Sequence, residues 1–161
     1  MLTSIVIDEA TWSGASTARR MEWEIEIRDL VDDPQLVIGA GIRRLDVDLS
    51  AQGFYLRASD EEEQGVASVF VPHDALRAHV HEYVHVVRQM ERVQQGMVSA
   101  RLEALDMAKK VTHDSAGRTL RRLCRPLSID LQTGRRLFSL LFSLRVDTTE
   151  LSTVRAHRPI R

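Results

Sequence analysis

The sequence predicts an α+β fold: a small antiparallel β-sheet built early, helices packed on one face of it, and a helical C-terminal half. Three observations carry that expectation. Strand-like alternation of apolar and polar residues falls before Pro72. From Pro72 onward apolar residues recur mainly at helical spacing, and Leu137–Leu144 is apolar in almost every direction. A helix of that last kind must be buried on more than one side.

Ser4-Ile-Val-Ile reads as a first strand. In residues 16–31, Met21, Trp23, Ile25 and Ile27 alternate with glutamates, yet Trp23, Ile27, Leu30 and Val31 also form one helical face ended by Asp32-Asp33-Pro34. Helix is the assignment, because the proline supplies a stop. Leu45, Val47 and Leu49 alternate with Asp46 and Asp48, and Ser50-Ala-Gln-Gly53 turns the chain into Phe54-Tyr-Leu-Arg, a β-hairpin. Asp60-Glu-Glu-Glu-Gln-Gly65 reads as a solvated acidic turn before the strand Val66–Val71. Residues 73–94 place Leu76, Val80, Tyr83, Val84, Val87 and Met90 on one helical stripe. A second helix runs through Leu102, Leu105 and Ala108 toward His113, with Asp114-Ser-Ala-Gly117 as a break. A third spans about 118–124 before Pro126, Leu127–Leu131 is extended, and a last helix covers about 133–146. Residues 1–147 form one domain, and 148–161 are expected to be a loose tail.

Hydrophobic residues at 43% and charged residues at 28% exclude a disordered chain. The single cysteine, Cys124, excludes a disulfide framework within the chain. The N-terminus lacks a basic segment followed by an apolar one, and no run approaches a membrane span. These features point to the cytoplasm. The net charge of −1 hides an asymmetry: residues 1–112 carry 12 Lys/Arg against 19 Asp/Glu, and residues 113–161 carry 10 Arg against 4 Asp/Glu. Two attracting faces of one domain explain this more simply than an anionic partner.

Glu103-Ala-Leu-Asp-Met107, His113 and Thr133-Gly-Arg-Arg-Leu-Phe-Ser-Leu140 resemble the signature blocks of uncharacterised bacterial protein family 0262. The order of elements from Ile5 to Leu144 is also similar to that family. The family's histidine block usually reads His-x-Glu-Gly, where this chain has His113-Asp-Ser-Ala-Gly117, and Gln132 stands where the family has an acid. The resemblance implies kinship and fold class and hands over no catalytic residue.

Four constellations bear on chemistry. His81-Glu82-Tyr83-Val84-His85 matches H-E-x-x-H, in which two histidines one turn apart bind zinc and the glutamate serves as base. Both histidines fall about 130° from the core stripe on a helical wheel. Arg77, Arg88 and Arg92 share that outward face and disfavour a divalent cation. On the next helix Asp106, Lys110 and His113 share a face, with Asp114 and Arg118 following. These five are the candidate site for a small anionic ligand, with His113 at a turn. The competing reading is a solvated face tied by an Asp106–Lys110 pair. Thr112-His113-Asp114 also fits a phosphoacceptor box, a match of low specificity. Finally Arg118, Arg121, Arg122, Arg125, Arg135 and Arg136 flank Pro126 and could track nucleic-acid phosphates. A sequence pI near 6.6 and the lack of a helix-turn-helix pattern argue against that use, and pairing of Arg121, Arg122 and Arg125 with the acidic N-terminal half is expected instead.

The sequence therefore reads as a non-enzymatic or cryptically enzymatic binding or interaction domain, with no metal or cofactor assigned. Its expected partners are a small anion near His113 and a second copy docked through the C-terminal helix. The alternatives are a metal-dependent hydrolase using His81, Glu82 and His85, and nucleic-acid binding through the arginine cluster.

Overall fold

The computed structural model describes residues 1–96 and 99–151. In chain order the elements are β1 (Ser4–Ile7), α1 (Glu9–Ser13), α2 (Thr17–Val31), β2 (Arg44–Leu49), β3 (Gly53–Ser59), β4 (Gly65–Pro72), α3 (His73–Gly96), α4 (Ser99–Leu123) and α5 (Leu131–Arg145). Short 3-10 turns cover Arg125–Leu127 and Thr148–Glu150. The class is α+β, as the sequence predicts, with the helical half C-terminal.

The sheet has the order β1-β2-β3-β4, and β2 to β4 form an antiparallel meander. β1 departs from the antiparallel expectation: it pairs parallel with β2, Ser4 opposite Arg44 and Ile7 opposite Val47. The reason is the connection. α1 and α2 carry the chain back to the starting end of the sheet, and such a helical crossover produces a parallel neighbour. Alternation then sorts the faces. Ile5, Ile7, Leu45, Val47, Phe54, Leu56, Val69 and Val71 are buried toward the helices. Arg57, Tyr55 and Phe70 are exposed on the other face, where the Tyr55 and Phe70 rings stack at 4.7 Å. Asp60 organises the acidic turn by accepting from the backbone N–H groups of Glu62 and Gln64 at 3.0 and 2.8 Å.

α1 was not expected. Asp8 caps it, accepting from Thr11 N at 3.0 Å and Thr11 Oγ1 at 2.7 Å, and also takes the N–H of Leu49 at 2.9 Å. α2 confirms helix over strand: Ser16 caps Arg19 N, and Trp23 and Leu30 are buried. The break expected at Asp114–Gly117 does not occur. α4 runs unbroken through Gly117 to Leu123, so the second and third expected helices are one. Gly117 serves a helix crossing there, described below.

α5 is the packing hub between α4 and α2. Leu137, Phe138, Leu140, Leu141, Phe142 and Leu144 are all buried within the chain. The chain itself thus covers these six side chains. α2 covers much of α5, and Trp23 Nε1 and Arg19 Nη2 donate to the Ser143 carbonyl at the helix end at 2.9 and 3.2 Å. Residues 148–151, placed by the sequence in a loose tail, form a turn with Thr148 and Leu151 buried. The remainder of that tail, 152–161, lies outside the described residues. Among the described residues no helix is long and apolar enough to cross a membrane.

Cys124 is fully buried, and burial pushes its thiol up to about 12. Only a thiolate attacks alkylating reagents. Native protein should thus resist iodoacetamide at neutral pH and label after denaturation; rapid labelling of native Cys124 would contradict this packing.

Candidate functional site

Two of the three signature blocks, those containing His113 and Thr133–Leu140, meet where α4 crosses α5. A methyl group on Gly134 would stand 2.6 Å from the carbonyl oxygen of Gly117, and one on Gly117 would stand 2.7 Å from Arg135 Cγ. Two helix backbones touch here, which glycine alone allows. Thr133 Oγ1 accepts from Val37 N at 3.0 Å, and Arg136 reaches Asp33 at 3.1 Å and donates to the Asp29 carbonyl at 2.8 Å. These contacts tie α5 to the loop after α2.

His113 belongs to the same crossing. Its Nε2 lies 2.7 Å from the Arg135 carbonyl oxygen and 3.0 Å from Ser139 Oγ. A carbonyl only accepts, so the ring carries its proton at Nε2 and donates it. The ring is flanked by Tyr83 at 5.8 Å and Phe138 at 5.9 Å. Burial pushes its pKa down to about 4; the bond to the Arg135 carbonyl opposes the shift, and the Arg135 and Lys109 charges add to it. The imidazole is therefore neutral at pH 7.

The other four members of the predicted site lie on the same helix, α4. Asp114 approaches Arg135 Nε at 2.9 Å. Asp106 and Lys110 pair with each other at 3.7 Å on a solvated stretch beside exposed Met107 and Val111. Arg118 is exposed. His113 and Asp114 both contact Arg135.

His81 and His85 of the H-E-x-x-H match are both exposed on α3, and His85 Nε2 lies 3.1 Å from Gln89 Nε2. Among the described residues no three His, Cys, Asp or Glu side chains are placed to hold a metal ion. In the arginine cluster, Arg135 and Arg136 turn inward to Asp114 and Asp33, while Arg118, Arg121, Arg122 and Arg125 are exposed. Arg136, rather than Arg121, Arg122 or Arg125, makes the described ion pair to the acidic N-terminal part.

A cavity of about 290 Å³ opens between α3, β3 and the end of α5. Leu76, Val80, Val84, Phe54, Leu141 and Phe142 supply apolar walls. Arg77, His81 and Arg145 stand exposed at its margin, and among the described residues no acidic side chain lines it. His73 completes one wall, its Nε2 2.8 Å from the Ser50 carbonyl and its ring edge-on to Phe54. Arg77 pairs with Asp74, but both are largely exposed, so solvent screens the pair and leaves the guanidinium available. Sequence reasoning missed Phe54 and Arg145 here. The spacing of Arg77 and His81, one helical turn apart, was legible; the meeting of α3 with the end of α5 was not.

Fold and side chains thus define a small α+β domain in which the signature residues lock two helices together and a cationic, apolar-walled cavity lies elsewhere. The chain belongs to the family described as Uncharacterised protein family (UPF0262), whose model matches residues 1–147. It is similar to the UPF0262 protein of Rhizobium johnstonii, 28% identical and covering 87% of this chain and 91% of that one. The UPF0262 protein of Mesorhizobium japonicum is 29% identical, covering 87% and 89%. That of Rhodospirillum rubrum is 27% identical, also covering 87% and 89%. No solved structure matches the chain.

Proposed function

We propose that the chain is a binding domain for a small amphipathic anion, a carboxylate with an apolar tail, held in the cavity bounded by α3, β3 and α5. One observation carries the reading: Arg77, His81 and Arg145 surround an apolar-walled cavity that, among the described residues, no acidic side chain lines. Ligand sites are mostly apolar with a few placed polar groups, and this one matches in kind, near the lower end of the usual size. Arg145 lies in the last turn of α5, where its flexible stem lets the guanidinium reach a carboxylate in two-point fashion. The tail would lie along Val80, Val84 and Phe142. An anion is thereby assigned to this cavity and not to His113, whose Nε2 is already committed to Arg135 and Ser139.

Calorimetric titration with octanoate tests the reading, with octanol as the uncharged match. Octanoate should bind at least about tenfold more tightly than octanol, because a charge-assisted hydrogen bond contributes roughly 1.5–3 kcal/mol. Arg145→Met should remove that advantage while leaving the melting temperature of the free protein unchanged. Equal binding of octanol, or full octanoate affinity in Arg145→Met, would overturn the proposal.

A further inference from the structure

We infer that a second site, independent of that cavity, takes an extended basic peptide segment of another protein as an added strand along the free edge of β1. β1 is the first strand in the sheet order, paired on one side only. Ser4 and Asp8 donate across the parallel ladder to the carbonyls of Arg43 and Val47 at 3.2 and 3.0 Å. The alternation of such a ladder turns the N–H and C=O groups of Ile5 and Ile7 the other way, toward the open edge. No described backbone group pairs with them there. Sheet edges left in this state are templates for another strand.

Opposite that edge, α2 stands back and leaves a groove of about 650 Å³. Residues 3–7 form one wall; Ile27 and Val31, on one face of α2, form the other, with Trp12 also lining it. An extended chain laid in such a groove pairs its backbone with the strand and places alternate side chains against the helix, the mode called β-augmentation. The charge of the occupant follows from the rim. Among the described residues, exposed Glu9, Glu24 and Asp32 line the groove against a single cation, Arg28. Apolar residues alternating with lysine or arginine would satisfy both the walls and the rim. A second copy pairing edge to edge would set the same three carboxylates against their equivalents, a like-charge arrangement that interfaces avoid.

The test uses the full chain and a fluorescein-labelled peptide of alternating valine and lysine, compared with a valine–glutamate peptide and with the valine–lysine peptide methylated on its backbone nitrogens. The unmodified basic peptide should bind at least about tenfold more tightly than either comparison. Backbone amide exchange at Ile5 and Ile7 should slow about tenfold or more at saturation. The exposed-rim double variant Glu9→Lys, Glu24→Lys should weaken binding by a similar factor and keep the melting temperature. Equal binding of the methylated peptide would overturn strand addition, and equal binding of the acidic peptide would overturn the charge argument. Protection of Ile5 and Ile7 that grows with protein concentration in the absence of peptide would assign the edge to a second copy and overturn the inference.

Discussion

Gly134→Ala is expected to destabilise the protein by about 3 kcal/mol or more, against the direction that helix propensity alone would give. Alanine in a helix interior is ordinarily favoured over glycine by about 1 kcal/mol. Here the added methyl would lie 2.6 Å from the Gly117 carbonyl oxygen, a backbone atom that cannot rotate away. Either α4 and α5 separate, opening the packing around Leu120 and Phe138, or the clash remains; overpacking of this kind costs roughly 1–3 kcal/mol even with softer neighbours. For a chain of this length the melting temperature should fall by on the order of 10 °C. Gly117→Ala should cost less, because its nearest neighbour is the Arg135 side chain at 2.7 Å, with the Arg135 backbone nitrogen at 3.0 Å. A stabilised Gly134→Ala variant would show that the helices do not cross in contact.

The second large effect is a pH dependence. In the unfolded chain His113 titrates near 6.5, and in the fold burial holds it down to about 4. Between those values the unfolded state binds more protons, so stability rises with pH through the window and is lost as pH falls from 6.5 toward 4. The shift corresponds to about 3 kcal/mol at 1.36 kcal/mol per pKa unit. Carboxylates titrate over the lower part of the same range, so the comparison is with His113→Gln, which can still donate to the Arg135 carbonyl but does not titrate. The loss of unfolding free energy between pH 7 and pH 4, from denaturant titrations, should be about 3 kcal/mol smaller in the variant. Parallel profiles for the two proteins would contradict a desolvated, neutral His113.

Much of the fold was legible because its signals are local. Alternation located β2, β3 and β4, and the nearly all-apolar run from Leu137 to Leu144 located the packing hub. Where the reading failed, the deciding contact was distant in sequence. Gly117 looks like a helix breaker until Gly134 is set against it. β1 looks like one more antiparallel strand unless α2 is weighed as a crossover long enough to reverse that choice. His113 shows the same limit at the level of chemistry. Its family-signature setting and charged neighbours marked it out, but its hydrogen-bond partners, the Arg135 carbonyl and Ser139, stand 22 and 26 positions away in the sequence. Conversely, Arg145 sits at the end of an apolar helix with no motif to mark it, and only the packing of α5 beneath α3 and Phe54 makes it part of a cavity.

Heteronuclear NMR of the protein titrated with octanoate distinguishes an anion held beside Arg145 from one held beside His113. Saturable shifts are expected at the methyl groups of Val80, Val84 and Leu141, with the amides of Asp106, Lys110 and His113 unmoved. Shifts centred on His113, Asp106 and Lys110, or no shift at saturating octanoate, would contradict the proposal.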